Sequence, residues 1–271
     1  MERMVHLSTV RVWCLSALAA LVLAAPASAA NDYRGPVPIL TYHELRSAPK
    51  PPRSPSSASL WVPGTRFSSQ LRGLARAGYH GVTLSQVWAA WHDGPALPSR
   101  PVVVSFDDGY AAQYSTGARV LRSLRWPGVL NLEVSRVDVR GGLSSAQVRA
   151  LVKRGWEIAS HTYTHPDLTK LSAADLQHEV ADSRAELQRR FGVDVAFFCY
   201  PFGRTSSEVE DAVALAGYSG ATTVSAGVAA PSSDPLELPR VTVRPRDTAT
   251  ALSKRLAAFP APMSPVRLRM L

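Results

Sequence analysis

From about Pro36 onward, short apolar runs alternate with segments of helical periodicity, and no stretch marks a second domain. Val37 to Tyr42, Val102 to Phe106, Gly128 to Val134, Trp156 to Ser160, Ala196 to Tyr200 and Leu238 to Val243 read as strands. Phe67 to Ala77, Gln147 to Arg154, Ala173 to Phe191 and Glu208 to Ala216 read as helices. In the longest of these, Ser172 is placed to cap the N-terminus and Gly192 to stop the helix, while Leu176, Val180, Leu187 and Phe191 share one stripe. Strand–helix alternation predicts parallel strands with helices outside. About seven such units suit a distorted (β/α) barrel, with an open doubly wound sheet as the alternative. At 271 residues and 46% apolar content, the chain can build one large core. No G-x-G-x-x-G follows a strand, so no nucleotide cofactor is expected.

The first residues carry a different signal. Arg3 and Arg11 precede an apolar stretch from Val12 to Ala25, and Ala27-Ser28-Ala29 follows as a small-residue cleavage pattern. That layout predicts a signal peptide over residues 1–29 and a single domain over 36–258, hence a secreted or cell-surface protein. An uncleaved anchor is the competing reading. Arg46 to Ser59, rich in proline, reads as a long surface loop, and the tail from Phe259 as a loosely held end. The net charge is +9, and loss of Arg3, Arg11 and Glu2 with the leader leaves +8. Scattered arginines without a dense run do not suit nucleic acid, but they allow weak attraction to an anionic cell surface. Two cysteines, Cys14 and Cys199, exclude a disulfide scaffold and a Cys-rich zinc module.

Three constellations sit just after strand patterns. In Ser105-Phe106-Asp107-Asp108-Gly109-Tyr110, one carboxylate can hold a cation while its neighbour stays free as a base, and Gly109 lets the chain turn. A solvated turn is the plainer reading. His161-Thr162-Tyr163-Thr164-His165 spaces two imidazoles four apart, which with one carboxylate makes a frequent catalytic metal set. Tyr200-Pro201-Phe202-Gly203-Arg204 ends another apolar strand and offers a rigid turn with a backbone N–H and an aromatic wall. Barrel sites lie at strand C-terminal ends, which ties the three together.

In order and spacing, SFDDGY, HTYTH and YPFG resemble the leading motifs of the polysaccharide deacetylases, the NodB-homology enzymes of carbohydrate esterase family 4. PILTYHEL, GYSGATT and LPRVTV extend the likeness from about Pro36 to about Val243. The resemblance implies a distorted (β/α) barrel that removes acetyl groups from polysaccharide using one divalent metal, zinc first and cobalt or nickel otherwise. It implies Asp107 as catalytic base, Asp108, His161 and His165 as metal ligands, and the Phe202 backbone N–H as an oxyanion donor beside Tyr200. The substrate expected is a polymer containing N-acetylglucosamine. O-acetylated polysaccharide, a small amide or imide, and a silent carbohydrate-binding barrel are the alternatives.

Two departures stand out. The arginine that family members carry shortly before the third motif's proline, where it orients the base, is absent: those positions are Phe197, Phe198, Cys199 and Tyr200. Arg240 and Arg204 are candidates to replace it. No histidine follows His178, so the family's late acid histidine is missing too. His43, in the early Tyr42-His43 pair, is the candidate acid, as in the poly-N-acetylglucosamine deacetylase branch that it resembles. A strand-end packing role is the competing reading.

Overall fold

Strand pairing closes on itself. The computed structural model describes residues 1, 32–46 and 60–259. The expected signal peptide beyond Met1, nearly all of the expected loop up to Ser59 and the tail past Phe259 lie outside the described residues. The chain begins with β1 (Ile39–Tyr42), β2 (Glu44–Arg46) and β3 (Trp61–Pro63). Then come α1 (Gly64–Arg76), β4 (His80–Val82), α2 (Leu84–Trp91) and β5 (Pro101–Asp108). A π-helical turn, Gln113–Ala118, leads into α3 (Arg119–Leu124), followed by β6 (Val129–Leu132), α4 (Ser145–Val152) and β7 (Glu157–Ser160). Next are α5 (Ala173–Gln177), a second π-helical turn (His178–Asp182), α6 (Ser183–Phe191) and β8 (Phe197–Cys199). Last are α7 (Ser207–Leu215), β9 (Gly220–Ala226), β10 (Leu238–Thr242) and α8 (Ala249–Ala257).

The strands run β1-β10-β9-β8-β7-β6-β5, and β5 pairs back onto β1 from Ile39↔Val103 to Tyr42↔Phe106. The result is the expected closed parallel barrel of seven strands ringed by helices. β4 adds onto the first three residues of β5 only. Every residue of β1 and β5 is buried, as strands covered on both faces must be, which is why they read as unbroken apolar runs.

Period-two alternation sorts each strand into two layers. Val102, Val104 and Phe106 face outward into one cluster with Leu71, Leu74, Leu121 and Val148 of the helices. Ile39, Val103, Val129, Ala159, Phe197 and Leu238 form the barrel's inner layer. Leu84, Val87 and Ala90 of α2 join that inner layer, so α2 plugs the N-terminal end of the barrel and leaves the C-terminal end for chemistry.

The expected helix from Ala173 to Phe191 is broken by its π-helical turn, although Leu176, Val180, Leu187 and Phe191 are all buried as the stripe predicts. His80, expected in a loop, opens β4 instead, with its ring exposed and bonded to the Ser99 carbonyl. β2, β3, β4, β9, α2, α3 and α8 were not read from the sequence. Among the described residues, no helix is long and apolar enough to cross a membrane.

Candidate active site

The inner ladder of each strand turns polar as it climbs. Alternation carries Ile39 to Thr41 and His43, Val103 to Ser105 and Asp107, and Val129 to Asn131. It likewise carries Ala159 to His161, Phe197 to Cys199 and Leu238 to Arg240. Six strands thus deliver one polar cluster to the C-terminal mouth. Asp108 breaks the alternation: its φ of 72°, followed by Gly109 at 87°, is a left-handed turn at the strand end.

Asp107 is buried, with 1% of its surface exposed. Its Oδ1 accepts from Arg240 Nη1 at 2.9 Å and from Asn131 Nδ2 at 2.6 Å. Its Oδ2 faces His43 Nε2 at 3.5 Å. Burial pushes the Asp107 carboxyl up, but the charges of Arg240, His43 and His161, with the Arg240 hydrogen bond, together outweigh it and hold the group well below the usual carboxylate range. Burial holds the His43 imidazole below its ordinary value, with the carboxylates of Asp107 and Asp108 opposing. Arg240 is itself pinned by the Thr223 carbonyl at 2.7 Å. Of Arg240 and Arg204, the two candidates to orient Asp107, Arg240 is therefore the one in contact with it. Arg204 is excluded from that place, since it pairs with Asp167 at the surface. Gln113 and Asn131 escaped the sequence reading. Gln113 Nε2 donates to the backbone carbonyls of both Asp107 (2.6 Å) and His43 (3.1 Å), tying the ends of β5 and β1 together. Buried amides in a π-helical turn and mid-strand carry no motif by which to find them.

Removal of the guanidinium would leave the Asp107 charge buried with only the Asn131 amide and the His43 imidazole beside it. Arg240→Met should destabilise the metal-free protein by about 3–5 kcal/mol at pH 7. Without Arg240, burial raises the Asp107 pKa, so the deficit should shrink as falling pH protonates the carboxyl and removes the uncompensated charge. Urea unfolding at pH 7 and pH 5 checks this; an equal deficit at both would show that the pair is not what matters.

Asp108, His161 and His165 meet beside this pair, their ligand atoms all within 4.8 Å of one another. Asp108 Oδ1 lies 3.5 Å from His161 Nε2 and 3.6 Å from His165 Nε2, and the two Nε2 atoms are 3.1 Å apart. Ligand bonds of about 2.1 Å in a tetrahedral arrangement put neighbouring donors about 3.4 Å apart, so this donor set fits a small divalent cation. His161 Nδ1 donates to the Cys199 carbonyl at 2.7 Å, which turns the Nε2 lone pair toward the other donors.

The loop between the two histidines is held by a residue that the sequence reading passed over. Glu179, 5% exposed, accepts from the N–H groups of Tyr163 (2.7 Å) and Thr164 (2.8 Å) and from the Thr164 hydroxyl. Thr162 and His165 have left-handed φ of 70° and 64°, a costly conformation that this clamp maintains. Glu179 lies in the π-helical turn between α5 and α6. Glu179→Ala should weaken divalent-metal affinity at least about tenfold, as loss of a group that orients ligands does. Glu179→Gln should weaken it less. A chelator-competition titration measures both, and unchanged affinity in Glu179→Ala would contradict the clamp.

The third motif forms a tight turn. Phe202 has φ 59° and is 56% exposed, with its ring 4.7 Å from that of His165. A Cβ on Gly203 would come within 2.3 Å of Val224. Tyr200, expected beside substrate, is fully buried and edge-on to Phe198; its strand position sends the ring outward into the helix layer, so it supports the turn from within the core. His178 is half exposed, bonded to Asp182 at 3.0 Å and stacked on Tyr163.

The polysaccharide deacetylase family profile matches residues 94–221. The putative polysaccharide deacetylase YxkH of Bacillus subtilis is 27% identical over 209 residues, covering 77% of this chain and 72% of that protein. Over residues 94–221 the chain is similar to the polysaccharide deacetylase family. Deacetylases of this family are hydrolases, and the matched span holds Asp107, Asp108, His161, His165 and Phe202. His43 and Arg240 lie outside it. The Streptococcus pyogenes deacetylase PplD, solved with acetate, shares the fold at a TM-score of 0.75 and 23% identity, over 82% of this chain and 98% of that one. A poly-beta-1,6-N-acetyl-D-glucosamine N-deacetylase of Escherichia coli is 37% identical over 60 residues, which is 22% of this chain and 9% of that protein.

Proposed function

We propose that this deacetylase hydrolyses N-acetyl groups on an N-acetylglucosamine-containing polysaccharide of the cell surface or extracellular matrix, releasing acetate. The observation that carries the reading is the 3.5 Å approach of His43 Nε2 to Asp107 Oδ2 beside the Asp108, His161 and His165 cluster. An amine leaving group needs both a base and an acid at one acetyl carbon. The 60-residue likeness to a poly-N-acetylglucosamine deacetylase supports the choice of sugar.

Asp108, His161 and His165 would hold a divalent ion, zinc by its preference for imidazole and carboxylate ligands. Such an ion polarises a carbonyl and acidifies water. The chain's own groups do the rest. Arg240 and Asn131 occupy Asp107 Oδ1, so a proton from the attacking water goes to Oδ2. Protonated His43 donates from Nε2 to the departing sugar nitrogen, which leaves as a neutral amine. The Phe202 backbone N–H serves the developing oxyanion. Residues 1–29 would direct the protein out of the cytoplasm.

Acetate release from peptidoglycan, chitin oligomers, poly-N-acetylglucosamine and acetylxylan tests the substrate. The highest kcat/KM is expected on poly-N-acetylglucosamine. A preference for acetylxylan would make this an O-deacetylase.

A further inference from the structure

At the barrel end opposite the active site, a cavity of about 590 Å³ opens among the residues that lead into β6 and β7. Arg122, Arg125 and Arg154 line it, with Trp126 and Trp156 beneath. The indoles are buried, at 8% and 6% exposure, while the three arginines are exposed. The indoles can lie there because Gly81 and Gly128 have no side chain: a Cβ at either would come within 2.5 Å and 2.7 Å of an indole. Among the described residues, no hydrogen bond or ion pair engages the three guanidinium groups, whereas Arg136, Arg184, Arg189, Arg190, Arg204, Arg240 and Arg255 each have a carboxylate partner.

The charge on the flanking helices is one-sided, although Glu157, next to Trp156, lies beside the cavity with its carboxylate bonded to Ser85. Helices α1 to α4 contain no acidic residue and carry Arg66, Arg72, Arg76, Arg119, Arg122 and Arg149. The stretch from α5 to α7 instead carries Asp175, Glu179, Asp182, Glu186, Asp194, Glu208, Glu210 and Asp211 against four arginines, Arg184, Arg189, Arg190 and Arg204. Basic residues at the ends of α3 and α4 complement the helix dipoles, but that accounts for one at each end and not for three meeting at one cavity.

We propose that this cavity binds a flexible anionic glycopolymer through its repeating phosphate or carboxylate groups, independently of the acetyl-transferring site. Guanidinium forks match both anions bidentately. A membrane surface fits less well. It would engage exposed apolar side chains, and among the described residues the exposed large apolar ones, Met1, Leu60, Val139, Phe202, Leu215 and Val224, are not in the cavity's lining. Attachment at this end leaves the catalytic mouth facing away from the anchoring polymer.

The test is binding of the full protein to poly(glycerol phosphate) and to polygalacturonate, with neutral dextran and anionic phospholipid vesicles alongside. Affinity for at least one polyanion should exceed that for dextran and for vesicles, and should fall between about 50 mM and about 200 mM salt. The triple variant Arg122→Gln, Arg125→Gln, Arg154→Gln should lose about tenfold or more in affinity, since it removes all three cations that line the cavity. Its melting temperature should stay near that of the parent, all three side chains being exposed and unpaired. The variant Arg140→Gln, Arg244→Gln, Arg246→Gln removes equal charge elsewhere and should change affinity little. Equal loss in the two variants, no loss in the first, or tighter binding to vesicles than to either polymer would overturn the proposal.

Discussion

Asp107→Asn should abolish acetate release while the protein stays folded and keeps its metal-binding stoichiometry. An amide has nearly the same shape, and its oxygen can still accept from Arg240 and Asn131 at the position of Oδ1. Its nitrogen would then face His43, where Oδ2 now stands 3.5 Å away, and it cannot take a proton from water. Loss of a general base costs about 10²–10⁴-fold in turnover. Folding stability should fall as well, because the buried Arg240 charge loses its counterion. Elemental analysis, circular dichroism and an acetate assay on one preparation separate these effects. Near-native acetate release would move the base to another carboxylate.

His43→Ala should lower turnover on an N-acetylglucosamine oligomer by about 10²-fold or more, because an amine expelled without a proton is a very poor leaving group. Metal affinity should remain near native, since His43 is outside the ligand cluster. The pH profile carries the sharper expectation. Burial disfavours the imidazolium more than the neighbouring carboxylates favour it, so the folded-state pKa is lowered. The acid form is then present only below that lowered value. The basic limb of kcat/KM should fall below about pH 6.5, the ordinary imidazole value. His43→Ala should erase that limb. His178→Ala, which removes an imidazole paired with Asp182 away from the cluster, should keep both rate and limb. If His43→Ala retains its limb, His43 only packs at the strand end.

The barrel was legible because its inner strands are buried on both faces and so read as apolar runs, and because glycine and proline punctuate them. β9, with its sequence Gly-Ala-Thr-Thr-Val-Ser-Ala, escaped because small and polar residues fill the barrel there without leaving an apolar signature. Motif spacing showed Asp107, Asp108, His161 and His165. It could not choose between Arg240 and Arg204, which differ only in where their strands and turns send them. Arg240 follows Leu238 on the inner ladder and is 2% exposed, whereas Arg204 leaves the third-motif turn toward solvent. The same period-two ladder places His43 two residues beyond Thr41 and Asn131 two beyond Val129. Glu179 was hidden for another reason: a straight helix through Ala173 to Phe191 gives no sign of the π-helical turn from which it grips the histidine loop.

The most direct measurement is acetate and free-amine production from poly-N-acetylglucosamine before chelation, after chelation, and after titration with a divalent metal. Acetate and amine should appear in equal amounts, vanish on chelation, and return in full at one equivalent of metal per chain. His161→Ala should fail to recover at that equivalence. Acetate release that survives complete chelation, or recovery by His161→Ala at one equivalent, would contradict a deacetylase centred on Asp107 and the Asp108, His161 and His165 cluster.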